Sequence, residues 1–276
     1  ALEGDYLLVG APADIADVER SGRAYLYKRN AAVNPPRWDF VKQFEPAVRN
    51  RFGGFGTAVD LSGDRAAICY EKSDLATSSG DVFIYRRGAN QTWSLEGTLP
   101  HVRSPYDSFG TTVKILGSRA MVGQRGQPTV LFYAHENGQW RQTASFSDLR
   151  WAHSVNFSGN NQAAAIEAGL LKTRVATYKL NGAAWVRTGD FQTPEMPPSD
   201  NRQFFAAMNS GVDLENGTLI VGGSGGQDES AVLQDMGYVY DLRNEEAFTA
   251  ANLLGTRTTE WFAAAKGSPI SYWIDV

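Results

Sequence analysis

Apolar residues along the chain fall in short runs of four to seven, each closed by turn residues, and the order of the runs repeats. Phe55-Gly56-Thr57-Ala58-Val59-Asp60-Leu61-Ser62-Gly63-Asp64 leads into the apolar run Ala66 to Cys69. A polar stretch from Glu71 to Gly80 follows, then Asp81-Val82-Phe83-Ile84-Tyr85, a short turn, and Trp93 opening Ser94 to Leu99. Runs of this length bounded by Gly, Asp, Asn and Ser predict strands rather than helices, in the order strand, turn, strand, loop, strand, turn, strand.

The same order returns from Phe109-Gly110 through Ala120-Met121-Val122-Gly123 and Val130-Leu131-Phe132-Tyr133 to Trp140. A degraded copy starts near His153-Ser154 and runs through Ala163 to Ile166, Val175 to Tyr178, and Trp185. Another starts at Phe205-Ala206 and gives Leu219-Ile220-Val221-Gly222, Gly237-Tyr238-Val239-Tyr240 and Phe248. The N-terminus enters a copy already under way, with Leu7-Leu8-Val9-Gly10, Ala24-Tyr25-Leu26-Tyr27 and Trp38. In all five units a third-strand tyrosine precedes the Trp, or its Phe substitute, by 7 to 11 residues. These aromatics read as core between units.

Repeating units of about 40 to 60 residues with four antiparallel strands each predict a β-propeller, because a lone four-stranded sheet must stack on neighbours to bury both faces. The expected fold is all-β: one propeller domain over 1–276, with blades at about 1–51, 52–104, 105–150, 151–200 and 201–257 and a closing tail at 258–276. A β-sandwich is the weaker alternative. Unit 1 is expected to lack its own first strand, with Ile270 to Val276 completing that blade against Tyr6 to Gly10. The competing account has the tail beginning a further blade of a longer ring.

At Phe55-Gly56, Phe109-Gly110 and Val9-Gly10-Ala11-Pro12 the units resemble FG-GAP repeats, the blades of integrin α-chain propellers and of many secreted propeller proteins. The likeness is well kept in units 1 and 2, partial in unit 3 and weak in unit 4. It implies a propeller fold, an extracellular or cell-surface location and a role in binding or adhesion. One departure matters. The turns at Glu3-Gly4, Ser62-Gly63, Leu116-Gly117 and Asn216-Gly217 are short, and Asp5 and Asp64 are single carboxylates rather than the clustered oxygens that calcium needs. They read as turn residues.

Composition narrows the function classes. The net charge of −4 carries no basic excess, which argues against a nucleic-acid partner. No apolar run approaches the length of a membrane span. One cysteine, Cys69, and three histidines leave little for a transition-metal site, and Cys69 ends a predicted strand as a buried structural thiol. No cofactor is implied. The sequons at Asn90, Asn156 and Asn216 are about as many as chance gives and show nothing about secretion.

Loop length carries the functional expectation. Loops between strands 1 and 2 and between 3 and 4 are tight, as at Asn137-Gly138 and Asn181-Gly182, except Asn30 to Arg37. The loops of the opposite face are long: Ala13 to Ser21, Glu71 to Gly80, Pro100 to Ser108, Thr188 to Gln203 and Ser224 to Met236. Binding residues concentrate on such loops. This face carries Asp14, Asp17, Glu19, Arg20, Arg103, Tyr106, Asp107, Arg125, Arg150, Trp151, His153, Arg202 and Asp228. Arg103, Tyr106, Trp151, His153 and Arg202 are the candidate ligand-binding residues, with Trp151 and Tyr106 foremost; packing beneath the loop is the alternative for both aromatics.

No catalytic motif occurs, and no catalytic residue is assigned. His135 falls at the opposite end of a blade from His101 and His153, so a three-histidine metal centre is not expected. Gly222-Gly223-Ser224-Gly225-Gly226 reads as a flexible loop rather than a phosphate cradle, since no helix follows it. The expected function is a non-enzymatic module recognising a glycan or a protein. The rivals are a structural subunit of a larger assembly and a propeller hydrolase or lyase. With single carboxylates in the turns, added calcium should leave the melting temperature unchanged; a rise that a chelator reverses would place a calcium site there.

Overall fold

The computed structural model describes residues 1–14, 21–48, 53–71, 79–102, 108–125, 129–147, 149–159, 161–168, 173–192, 211–215, 218–227, 233–241 and 253–260. Within them the chain forms five four-stranded antiparallel sheets and no helix. The first holds β1 (Leu2–Glu3), β2 (Tyr6–Ala11), β3 (Arg23–Asn30) and β4 (Arg37–Phe44). The second holds β5 (Gly54–Ser62), β6 (Arg65–Glu71), β7 (Asp81–Arg87) and β8 (Trp93–Thr98). The third holds β9 (Thr112–Leu116), β10 (Arg119–Gly123), β11 (Val130–Glu136) and β12 (Gln139–Phe146). The fourth holds β13 (Ser154–Ser158), β14 (Gln162–Ala168), β15 (Thr173–Asn181) and β16 (Ala184–Gln192), and the fifth β17 (Gly211–Glu215), β18 (Thr218–Gln227), β19 (Leu233–Asp241) and β20 (Leu253–Glu260). Strands pair in chain order within every sheet, the topology of a propeller-like all-β fold.

The recurrent tyrosine has a backbone meaning. In each sheet the ladder between the third and fourth strands slips by one residue, and the slip lies at Tyr27, Tyr85, Tyr133, Tyr178 or Tyr240. A bulge at this point sharpens the local twist.

Consecutive sheets stack face on face. Leu8, Ala24, Leu26 and Phe44 of the first sheet form one core with Ala66, Ile68, Tyr70 and Trp93 of the second. The other face of the second sheet, Ala67, Cys69, Val82 and Ile84, meets Ala120, Val122, Leu131, Tyr133 and Trp140 of the third. Met121, Val130 and Phe132 then meet Ala163, Ala165, Ala176, Tyr178 and Trp185, and Ala164, Ile166 and Val175 meet Val212, Leu214, Leu219 and Val221. Trp93, Trp140 and Trp185 thus each pack on the sheet that precedes their own. Trp93, Trp140 and Trp185 are 3–6% exposed. Trp38 departs from the expectation that all four are buried: it is 40% exposed, beside Phe40 at 60%, and neither joins a core formed by the described residues.

The Phe-Gly pair begins the second and third sheets for a steric reason. Phe55 and Phe109 are buried, and Gly56 and Gly110 have φ of 88° and 87°, a region that disfavours side chains. Phe55 N–H donates to Ser21 O at 3.0 Å, so the pair docks on the start of the third strand of the preceding sheet. A Cβ on Gly80, at the corresponding place one sheet on, would lie 1.7 Å from Phe109 O.

Side chains of one inner strand also cap backbone N–H groups of the next. Glu3 accepts from Gly63 N at 3.4 Å, and Ser62, in the equivalent position, accepts from Gly117 N at 3.0 Å. Asp60 accepts from Ile115 N at 2.8 Å and lies 3.2 Å from Lys114 Nζ, and Ser154 accepts from Val212 N at 3.4 Å. Farther out, Arg65 forms a two-pronged pair with Glu96, both contacts 2.8 Å, and Trp140 Nε1 of the third sheet donates to the same carboxylate at 3.0 Å. Burial raises the Glu96 pKa, but the guanidinium and the indole outweigh it and hold the carboxyl below its usual range.

Three sequence expectations are corrected. The first sheet begins with a short first strand of its own: β1 pairs Leu2 with Leu7 and Glu3 with Tyr6, and Leu8 N donates to Ala1 O at 2.8 Å, so the part of the edge from Tyr6 to Leu8 is taken by β1 rather than by the tail. Ile270 to Val276 lie outside the described residues. The glycine run from Gly222 is strand, not loop, because β18 continues to Gln227 against β19 through a ladder irregularity. The loops expected from Thr188 and Ser224 accordingly begin later, after Gln192 and Gln227. If sheet stacking holds the fold, Trp93→Ala should cost about 3–5 kcal/mol in denaturant unfolding. Trp38→Ala should cost markedly less.

Candidate functional site

The stacking rule places one aromatic outside its usual pocket. Asp60, Lys114 and Asn156 occupy equivalent positions two residues before the ends of β5, β9 and β13. Phe55 and Phe109 lie five residues before the first two, and Trp151 lies five before the third. The close backbone contact agrees: a Cβ on Gly10 would meet Gly56 O at 2.0 Å, and a Cβ on Gly123 would meet Ala152 O at 2.8 Å. Trp151-Ala152 therefore holds the Phe-Gly position of the fourth unit, two residues before the His153-Ser154 start read from the sequence. Leu149 and Ala152, both buried, fill the core here, and the Trp151 ring is half-buried rather than inserted.

Three backbone hydrogen bonds fix this corner between the third and fourth sheets. Ala152 N donates to Gln124 O at 3.3 Å, His153 N to Ile166 O at 2.9 Å, and Arg150 N to Glu167 Oε2 at 3.0 Å. The Arg125 guanidinium lies 4.3 Å from the Trp151 ring centroid. The His153 ring stacks on the same indole at 4.4 Å with planes 30° apart. Trp151 Nε1 is buried without an acceptor, a cost of about 1–3 kcal/mol. Burial lowers the His153 pKa; a hydrogen bond to the Trp151 backbone and the Glu167 charge oppose this, and the Arg125 charge adds to it.

Of the five candidate residues, Trp151 and His153 are in contact. Arg103, Tyr106 and Arg202 lie outside the described residues. Arg125, expected on this face, joins the pair through its guanidinium, and Arg150, also expected there, enters the corner through its backbone N–H. Glu167 was not legible as part of the site, since it ends a strand and becomes relevant through its bond to the backbone of residue 150. Asp14, also expected on this face, accepts a hydrogen bond from Tyr25 and lies 3.9 Å from Arg23. His101 stacks on Phe109 at 3.9 Å, with its Nε2 3.1 Å from Ser79 Oγ. His135 lies at the other end, 3.8 Å from Glu96. Asp64 is engaged by Arg86 at 2.7 Å. Among the described residues no group of three or more His, Cys, Asp or Glu side chains could hold a metal ion, and no helix is long and apolar enough to cross a membrane. Burial pushes the Cys69 thiol pKa up.

Neither a protein-family profile nor a curated protein matches the chain. Among solved structures, the chain is similar to a functionally unknown protein from Desulfotomaculum acetoxidans DSM 771, with a TM-score of 0.51 and 12% identity over 92% of this chain and 69% of that one. A protein from Lactobacillus plantarum matches at 0.44 and 13% over 94% and 81%, and Sqt1 from Chaetomium thermophilum at 0.43 and 11% over 92% and 71%. The first likeness is one of fold, and with the sheet topology it places the chain in the class of all-β, propeller-like proteins.

The His153 shift has a readable consequence. Its folded value lies below the ordinary 6.5, so the group contributes stability above that pH, which is lost as pH falls through the folded value. Unfolding by urea across this window should show stability falling with acid, and His153→Asn should flatten the fall.

Proposed function

We propose that the chain is a non-enzymatic binding module, a single five-bladed propeller that engages a glycan or a protein through the face carrying Trp151. The observation that carries this reading is the departure of Trp151 from the repeat. Where units 2 and 3 bury a phenylalanine, unit 4 fills the core with smaller residues and leaves an indole at the surface against Arg125 and His153. Tryptophan and arginine are among the residue types enriched at binding hot spots. Arg103, Tyr106 and Arg202 belong to the same face in this reading. The extracellular or cell-surface location rests on the FG-GAP resemblance at Phe55-Gly56 and Phe109-Gly110.

Ring closure is part of the proposal. The face bearing Trp38 and Phe40 is where a fifth blade would meet the first, by the same stacking that buries Trp93, Trp140 and Trp185. Deleting residues 261–276 should lower the melting temperature if the tail contributes to closure; an unchanged value would exclude that contribution. The same exposed face is what favours the second reading, a subunit docked within a larger assembly.

Substitution of Tyr106, Trp151 or Arg202 should weaken capture of the natural partner from its source while leaving the melting temperature intact. Changes in the Asn137-Gly138 or Asn181-Gly182 turns should have no effect. A partner footprint centred on those turns would reverse the assignment.

A further inference from the structure

We propose that Asn90, in the turn between β7 and β8, is an acceptor for an N-linked glycan, and that Asn156, which carries the same tripeptide signal on β13, is not. The inference rests on the extracellular reading above and adds a covalent modification to it. The number of sequons carries no information, but their surroundings in the fold differ. Asn216 lies outside the described residues.

The Asn90-Gln91-Thr92 sequon sits in a turn that departs from the repeat. Units 3 and 4 join their third and fourth strands through short turns at Asn137-Gly138 and Asn181-Gly182, whereas unit 2 places Gly88 to Thr92 between the two strands. Gly88 N donates to Thr92 O at 2.8 Å and Gln91 N to Gly88 O at 2.9 Å, so the turn is closed by its own backbone. All three sequon residues are exposed. Asn90 Oδ1 accepts from Thr92 N at 3.1 Å and from Thr92 Oγ1 at 2.6 Å. An asparagine side chain bound to its own backbone two residues on is held by its oxygen. The Asn90 Nδ2, the atom that a glycan joins, has no partner among the described residues.

The transfer uses both features. The signal is an asparagine with a Ser or Thr hydroxyl two residues on, and here that hydroxyl already faces the amide. Nδ2 attacks C1 of an oligosaccharide carried on a polyprenyl diphosphate. The C1–Nδ2 bond forms, the C1–oxygen bond breaks with its electron pair leaving on the diphosphate, and the displaced Nδ2 proton passes to a base of the transferase.

Asn156 offers neither feature. It is half-buried on the inner strand of the fourth sheet, and its Oδ1 accepts from Phe157 N at 2.9 Å. Ser158, the hydroxyl of its sequon, is 5% exposed. Ser154 of the same strand accepts from Val212 N of the fifth sheet at 3.4 Å. An oligosaccharide on Asn156 would grow from an inner strand flanked by its neighbours, and a chain modified there before folding is not expected to reach this structure. Strand order adds a consequence. The turn between third and fourth strands and the segment before a first strand lie at opposite ends of the sheets, so a glycan on Asn90 leaves the Trp151 face open.

The test is secretion of the whole chain from cultured animal cells behind a heterologous signal peptide. Glycans are released from the medium and cell fractions by peptide N-glycosidase in heavy-oxygen water, which marks each modified Asn as labelled Asp, and peptides are mapped by mass spectrometry. The secreted chain should carry a glycan on Asn90 and none on Asn156, and its melting temperature should not change when the glycan is removed. Asn90→Gln and Thr92→Ala should each lose the glycan, and Thr92→Ser should keep it. A glycan on Asn156 confined to chain retained in the cells would agree with the inference. A glycan on Asn156 of the secreted chain would overturn the distinction, and a bare Asn90 in both fractions would overturn the inference as a whole. A bare Asn90 in chain isolated from its natural source, beside a modified chain from the secreting cells, would instead overturn the extracellular location. The binding reading stands or falls separately on whether Trp151→Ala weakens partner capture.

Discussion

The stacking of one four-stranded sheet on the next is the constraint from which the rest of the molecule follows. A single sheet of this size buries one face at best, and the second, third and fourth sheets are apolar on both. The second, third and fourth sheets each contribute to two cores, one with each neighbour. The tryptophan of the fourth strand completes the contact with the preceding sheet and so gives the stack a direction. Trp38 and Phe40, on the first sheet, join none of the cores formed by the described residues.

Polar groups follow the same direction. Glu3, Asp60, Ser62 and Ser154 supply acceptors to backbone N–H groups of the following sheet, at exposed turns for Gly63 and Gly117 and in the buried interface for Ile115, where an unpaired N–H would be costly. The Arg65–Glu96 pair is a stronger version of this device, because Trp140 Nε1 completes the carboxylate from the next sheet. A buried ion pair by itself adds little net stability, but breaking one by removing a partner is costly, so this pair fixes register between sheets more than it adds to their attraction.

The candidate site arises where the repeat yields. In units 2 and 3 the Phe-Gly pair locks a sheet onto its predecessor. In unit 4 the backbone lock persists at Ala152, but the large side chain leaves the core. The same backbone approach therefore carries the indole, whose half-buried ring meets Arg125 and His153. A rigid frame with a surface aromatic lowers the ordering cost of any ligand that lands on it.

The sequence by itself determined the order of strands, the five-fold repetition and the burial of Trp93, Trp140 and Trp185. Each of these is written in local periodicity and in the recurrence of that periodicity along the chain. It also put Trp151, His153, Arg125 and Arg150 on one face, since loop length depends on spacing alone. Tertiary structure decided the rest. β1 is too short to show a period, and the glycine run from Gly222 has no side chains to alternate, so it became strand by pairing with β19. The true start of unit 4 is set by the approach of Gly123 to Ala152, and the exposure of Trp38 by its place outside every core of the described residues. Glu96, Glu167 and the caps on the inner strands acquire their roles from surfaces that meet across many residues, and no spacing within one unit encodes which surfaces those are.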